Sequence, residues 1–159
     1  MEFRPLKSKV NAISEEECLQ LLREEKRGVL SVLGDGGYPY ATPMNHYYHD
    51  EDGFLYFHCG RSGHRIDALE HDDRVSFCCY SAAPPADGGW AMRVKSVVAF
   101  GRMEVIDDRG LVCDIAARMC RKFTDDESFI EREIERSADA TLLMRFRIEH
   151  ISGKQVTED

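Results

Sequence analysis

Residues 53–70 (GFLYFHCGRSGHRIDALE) carry the side chains best suited to binding an anion. An apolar run ends in a turn at Gly60 and Gly63, and the chain then resumes as a predicted helix. The first amides of a helix have no partner within the helix and attract negative charge. The segment therefore favours a phosphate site, while an ordinary strand-to-helix junction with surface cations is the alternative. The polar side chains that would surround the anion are Arg61, Ser62, His64 and Arg65.

A second informative stretch is residues 38–45 (YPYATPMN), which resembles a strand although it contains two prolines. Pro39 and Pro43 lack an N–H group, so this strand is predicted to lie at a sheet edge or to be irregular. Its free carbonyl and amide groups could then pair with a planar, polar heterocycle. An edge strand that is merely protected against aggregation is the alternative, and the residues alone leave both interpretations open.

Lys95, Ser96 and His58 are further candidates for ligand contact. Lys95 and Ser96 open a long predicted strand, where they either touch a ligand or face solvent. His58 follows an apolar run and is the candidate catalytic residue, although a histidine in this position commonly serves packing. The sequence contains no recognisable Ser–His–acid arrangement and no distinctive carboxylate pair. An enzyme with this sequence would therefore rely on a cofactor for its chemistry.

The composition is that of an acidic globular protein. The chain has 159 residues, 43% of them hydrophobic and 31% charged, which is enough for a substantial core. A net charge of −8 argues against nucleic acid or an anionic membrane as the main partner, while a local basic cluster can still bind a small anion. Apolar runs are too short for a membrane span, and residues 1–13 lack the layout of a signal peptide. We therefore expect a cytoplasmic protein.

Cysteines and histidines do not form a recognisable metal site in the sequence. The six cysteines include no C-x-x-C motif, and the adjacent Cys78 and Cys79 would point to opposite faces of a strand. His46 and His49 are likewise three residues apart in a predicted strand and would face opposite ways. We therefore expect no metal, and cysteines that act as small buried hydrophobes in a reducing compartment.

Hydrophobic periodicity and turn residues divide the chain into six strands and four helices. Ser14 and Glu17 form a capping box for a first helix that ends by residue 28. The predicted strands span 29–33, 38–48, 54–59, 75–80, 94–106 and 142–151, the other helices span 62–71, 111–123 and 126–137, and a loop that contains Trp90 spans 81–91. Hairpin-like connections with added helices predict a mainly β (α+β) fold, namely a six-stranded antiparallel barrel with peripheral helices in one domain.

The order of these segments resembles one known family. The segments are RGVLSV, DGGYPYATPMN, LYFHCGRSGHRIDAL, RVSF, KSVVAFGRMEVIDD and IEHISGK, which together extend over residues 14–155. They resemble the pyridoxamine 5′-phosphate oxidase-like flavin-binding split barrels, specifically the nitroimidazole-resistance branch. The resemblance implies a six-stranded split β-barrel and a homodimer with FMN at its interface.

The resemblance also implies which residues contact the flavin. The residues that would line the isoalloxazine are Pro43, Met44 and Asn45, and those that would run beside the ribityl chain are Phe57, His58 and Cys59. The phosphate would be held by His64 and Arg65, and the flavin would also be contacted from the neighbouring strand by Lys95 and Ser96. The sequence ends in SGKQVTED, without the family's R-x-H-like terminus, and this departure argues against pyridoxamine phosphate oxidase activity itself.

The activity implied is that of an FMN-dependent oxidoreductase. Electrons would pass from a reduced nicotinamide to a small acceptor such as a nitroaromatic compound. One alternative is a flavin-binding protein without turnover, serving storage, sensing or electron transfer. Another is a related barrel that binds haem or a deazaflavin, and a structural domain with a decayed site is the last.

Overall fold

Seven strands form one antiparallel sheet in the computed structural model, which describes residues 2–83 and 91–158. The strands are β1 (Arg27–Leu33), β2 (Pro39–Asn45), β3 (Tyr47–His49), β4 (Phe54–Gly60), β5 (Arg74–Ala83), β6 (Met92–Ile106) and β7 (Thr141–Glu158), in the sheet order β2-β1-β5-β6-β7-β4-β3. The helices are α1 (Glu15–Glu24), α2 (His64–His71), α3 (Arg109–Arg121) and α4 (Glu127–Ser137). The predicted α+β barrel with peripheral helices is confirmed, but the prediction of six strands is wrong by one.

The extra strand arises at His46. The predicted strand 38–48 breaks there into β2, which pairs with β1, and β3, which pairs with β4. The imidazole of His46 is completely buried, its Nε2 donates to the backbone oxygen of Leu22 at 2.9 Å, and its ring meets Phe77 edge-on at 4.8 Å. Because β2 and β3 are consecutive in the chain and also terminate the sheet, the bend at His46 curls the sheet into a barrel.

The barrel stays open on one side. Continuing the β3–β4 register past Tyr47 and Tyr56 would place Asn45 opposite His58, yet among the described residues β2 pairs only with β1. We call the gap between β2 and residues 58–60 of β4 the split. The prediction that the proline-containing strand lies at a sheet edge is confirmed, and backbone groups of both strands face the split without a ladder partner.

The main core fills the barrel, and a smaller core lies outside it. Large side chains inside the barrel have no solvent exposure; they include Leu30, Phe57, Phe77, Val97 and Phe146. The smaller core lies where α3 packs on the outer side of β4 and β7; its members are Tyr56, Val112, Ile115, Ala138 and Leu143. One side of β4 therefore belongs to the barrel, and the other side is covered by helices.

The start of the first helix follows its sequence signal. The backbone amide of Glu17 donates to Ser14 Oγ at 3.2 Å, and the amide of Ser14 donates to a Glu17 carboxylate oxygen at 2.9 Å. The predicted capping box is thus confirmed. Its apolar stripe, Cys18 with Leu21 and Leu22, is buried against the barrel.

Two local predictions, those for the cysteines and for the loop 81–91, differ from the structure in detail. All six cysteines are free, but only Cys18 and Cys79 are fully buried. The described residues contain no cluster of potential metal ligands, and none of their helices has the length and apolarity required to cross a bilayer. The predicted loop 81–91 begins too early, because β5 continues to Ala83. Trp90 lies outside the described residues.

A β-bulge between Phe100 and Gly101 lets β6 and β7 bend around the barrel. A Cβ atom at Gly101 would clash with the backbone carbonyl of Arg147 and would lie 2.7 Å from the Phe146 ring. We therefore expect Gly101→Ala to lower the free energy of unfolding by about 3 kcal/mol in urea titrations followed by circular dichroism. Gly60→Ala is the matched control, since no atom lies within 4 Å of its Cβ position. Equal losses in both variants would contradict the clash.

Candidate functional site

We call the end of the split next to β3 the narrow end and the opposite end the wide end; the start of α2 lies at the wide end. This helix begins after Gly63, whose φ of 126° favours glycine and whose lack of a side chain leaves the helix without a side-chain cap. A cavity of about 190 Å³ opens in front of it. Its lining residues come from β2, the end of β4, the turn that follows β4 and the first turn of α2; they are Tyr40, Cys59, Gly60, Ser62, Gly63, His64, Arg65 and Ile66.

Arg65 is a half-buried cation in this cavity. Its Nη2 donates to Thr42 Oγ1 on β2 at 2.7 Å, whereas its Nε is buried and has no hydrogen-bond partner. Among the described residues, no carboxylate lies within the 4.0 Å that defines an ion pair with Arg65. A buried charge is costly unless it is paired, so the cavity has the electrostatics of an anion site.

His64 is held in one orientation on the cavity wall. Its ring lies 4.2 Å from that of Tyr40, and its Nε2 accepts a hydrogen bond from the backbone amide of Asp35 at 3.3 Å. Because Nε2 accepts, the neutral ring carries its hydrogen on Nδ1. Gly34 allows this packing, since a Cβ atom there would lie 3.0 Å from both His64 Nε2 and Tyr40 Cβ.

Two other predicted cofactor residues form ion pairs outside this cavity. The guanidinium of Arg61 pairs with the carboxylate of Asp107 and donates to the backbone oxygen of Asp139 at 3.3 Å. Lys95 Nζ lies 3.1 Å from a carboxylate oxygen of Glu17 at the start of α1. These contacts join residues 46 and 78 positions apart, and no local sequence signal indicated them.

Because successive side chains of a strand point to opposite faces of the sheet, some of the remaining predicted residues point into the barrel and others point to its outer face. Phe57 is completely buried and contacts Phe77 edge-on at 5.2 Å, so only its backbone can face the split. Met44 and Cys59 also pack against the barrel core. Pro43 on β2 and Ser96 on β6 are three strands apart in the sheet. The pairing of β2 with β1, of β1 with β5 and of β5 with β6 places both side chains on the outer face of the sheet.

Asn45 and His58 line a second cavity at the narrow end of the split, which we call the helix cavity. Its volume is about 220 Å³, and α3 and α4 supply most of its walls. His58 Nδ1 lies 3.1 Å from Met119 Sδ, and desolvation lowers the pKa of the imidazole. The apolar spacing of residues 111–123 predicted α3, but nothing in the sequence indicated that this helix would face His58.

The sequence and the fold together decide the family. Residues 14–155 match the family model described as pyridoxamine 5′-phosphate oxidase, which covers most of the chain. The chain belongs to the pyridoxamine 5′-phosphate oxidase family. The resemblance inferred from the order of the segments is therefore confirmed.

Solved structures with the same fold come from several bacteria. A candidate 5-nitroimidazole antibiotic resistance protein from Bacteroides thetaiotaomicron is 19% identical, with a TM-score of 0.73 and coverage of 92% of this chain and 87% of that chain. A conserved hypothetical protein from Mycobacterium tuberculosis is 18% identical, with a TM-score of 0.78 and coverage of 94% and 90%. A FAD-binding protein from Mesorhizobium loti is 25% identical, with a TM-score of 0.63 and coverage of 91% and 96%. No curated protein sequence matches this chain significantly.

Proposed function

We propose that this protein binds FMN in the split and acts as an oxidoreductase that passes electrons from a reduced nicotinamide to a small acceptor. The family match and the flavin bound by the similar Mesorhizobium loti protein support a flavin cofactor. The observation that carries the proposal is the half-buried guanidinium of Arg65, which has no carboxylate partner among the described residues and a buried Nε without an acceptor. A flavin phosphate supplies the missing negative charge and the missing acceptor.

Different residues along the split would bind different parts of the cofactor. Arg65 and His64 would bind the phosphate at the wide end, where α2 begins. The unpaired backbone groups of residues 43–45 would face the isoalloxazine, as an irregular edge strand allows. A bound flavin supplies the hydride chemistry that the side chains lack. His58, whose pKa is lowered by desolvation, is the candidate to hold a proton near the ring.

A second copy of the chain would complete the site. Apolar side chains are exposed on the outer face of the sheet, where strand registers place them on one side; they are Val29, Leu33, Tyr80 and Phe100. Pro43 and Ser96 share this face, so a partner packed on it would bring Ser96 of one subunit towards the split of the other. This arrangement supports the homodimer with FMN at its interface that the family resemblance implies.

Charges on the outer face are expected to separate the dimer. The double variant Leu33→Glu, Tyr80→Glu would bury carboxylates in the interface, and we expect the dimer dissociation constant to rise by about 100-fold or more. Light scattering during gel filtration measures this change. Tyr38→Glu is the control, because Tyr38 is 79% exposed but precedes β2. A double variant that remains as dimeric as the control would argue against this interface.

The absorption spectrum of the protein tests the proposed function directly. The purified protein, loaded with FMN or FAD and freed of excess, should retain the flavin bands and should bind FMN more tightly than FAD. Steady oxidation of a reduced nicotinamide with an added nitroaromatic acceptor would then support turnover, whereas bound flavin without oxidation would indicate a storage or electron-transfer protein. A protein that ignores both flavins would refute the proposal, and a Soret band would indicate haem instead.

A further inference from the structure

The helix cavity has the size and lining of a site for one aromatic ring. Its volume of about 220 Å³ exceeds the roughly 150 Å³ of a dry apolar cavity known to bind benzene. The walls are mainly apolar; they include Val112, Ala116, Met119, Phe123, Phe129 and Ile134. Such a cavity with a few polar groups is typical of a small-molecule site.

His58 lines the helix cavity on the side of the split, and its side chain is exposed. A thioether accepts hydrogen bonds but cannot donate them, so the contact with Met119 Sδ assigns the ring hydrogen to Nδ1. His58 Nε2 therefore keeps its lone pair, and among the described residues it has no hydrogen-bond partner. Among the wall residues of this cavity the carboxylate is that of Glu133, which is already paired with Arg136 at 2.6 Å.

Two cations, Lys26 and Arg27, pack against a wall residue of the helix cavity without lining the cavity themselves. Phe123, a wall residue that is 38% exposed, has Lys26 Nζ 5.4 Å and the Arg27 guanidinium 5.5 Å from its ring centroid. Within residues 2–83 and 91–158, neither cation lies within 4.0 Å of a carboxylate. An apolar interior thus lies next to two cations, which we call the rim, that have no carboxylate partner in the described part of the chain, and this combination complements a ring that bears a negative group.

We propose that the helix cavity binds a small monocyclic aromatic carboxylate, with its ring against α3 and α4 and its carboxylate at Lys26 and Arg27. The preferred ligand class follows from the cavity itself. The further statement that this ligand is the second substrate rests on the proposed function, because Asn45 and His58 place the cavity beside the split.

A titration with two fluorinated probes tests the ligand class. The flavin-free protein is titrated with 4-fluorobenzoate and with the neutral 4-fluorobenzyl alcohol, and binding is followed by ¹⁹F NMR. We expect the carboxylate to bind about tenfold more tightly, since its charge-assisted contacts with the rim have no equivalent in the alcohol. Binding should persist after FMN is added, because the proposal places the isoalloxazine at the backbone of residues 43–45 and the ring of the probe against α3 and α4.

Variants identify the rim and the interior separately. Lys26→Ala with Arg27→Gln should abolish the preference for the carboxylate and leave the affinity for the alcohol unchanged. Ala116→Leu should weaken both probes about tenfold by filling the interior. Arg132→Gln is the control, since Arg132 is an exposed cation of α4 that does not line the cavity.

Three results would overturn the inference. The first is equal affinity for the two probes, and the second is unchanged binding in Ala116→Leu. The third is displacement of 4-fluorobenzoate by FMN, which would assign the cavity to the isoalloxazine ring itself. A protein that prefers the carboxylate but binds no flavin would uphold the ligand class and refute the proposed function, so the two failures are distinguishable.

Discussion

Replacing Arg65 by glutamine is expected to weaken FMN binding by about 10- to 100-fold, because a hydrogen bond between charged groups contributes roughly 1.5–3 kcal/mol. Among the described residues, the guanidinium has only Thr42 as a side-chain partner, and its buried Nε has none. A phosphate at this position would therefore form contacts that no protein group in the described residues replaces. Isothermal titration of the flavin-free protein with FMN measures the change.

Two comparisons show whether the loss is specific to the phosphate. Riboflavin lacks the phosphate, so its affinity should be almost the same for the wild-type protein and for Arg65→Gln. Arg61→Gln is the matched variant, because Arg61 lies four residues earlier and is already neutralised by Asp107. We expect a smaller loss of FMN affinity there. Unchanged FMN affinity in Arg65→Gln would contradict the phosphate assignment.

Acidification is expected to destabilise the protein through His46. Burial, with a smaller contribution from the nearby Lys122, lowers the pKa of His46 from 6.5 to about 3. Between these values the unfolded chain binds a proton that the folded protein excludes, so stability from this group is complete above pH 6.5 and is lost as the pH falls towards 3. The loss should reach about 3 kcal/mol at pH 4.

The difference between two variants isolates this contribution from the general effect of acid. His46→Gln retains a donor for the Leu22 carbonyl but does not titrate. Urea unfolding between pH 7 and pH 4 should therefore show that wild type loses about 3 kcal/mol more than His46→Gln. His71→Gln, at an exposed position on α2, should behave as wild type does. Parallel curves for wild type and His46→Gln would exclude His46 as the acid-sensitive group.

The sequence predicted the elements whose signals are local. The capping box of Ser14 and Glu17 fixes the start of α1, and the prolines at 39 and 43 identify an edge strand. The bend at His46 was missed because its cause is remote: the imidazole meets the carbonyl of Leu22 and the ring of Phe77, neither of which is near it in the sequence. The result was one predicted strand where the fold has two.

The candidate site shows the same division between local and distant causes. The glycine turn and the cations of residues 60–65 indicated an anion site, and the structure places His64 and Arg65 on a cavity there. Which arginine remains unpaired could not be predicted, since Arg61 is neutralised by Asp107 from a distant loop. Similarly, His58 was a candidate by its place after an apolar strand, but its partner Met119 lies 61 residues away.

The two cavities beside the split are lined by residues from separate parts of the chain. Every residue on the cavity in front of α2 belongs to residues 40–66, whereas all but two of the residues on the helix cavity belong to residues 112–141. On the proposed assignment, mutations that reshape α3 and α4 would alter which small molecule the helix cavity binds without touching the proposed phosphate contacts. Such a division allows a lineage to diversify its substrates while it inherits one mode of cofactor binding.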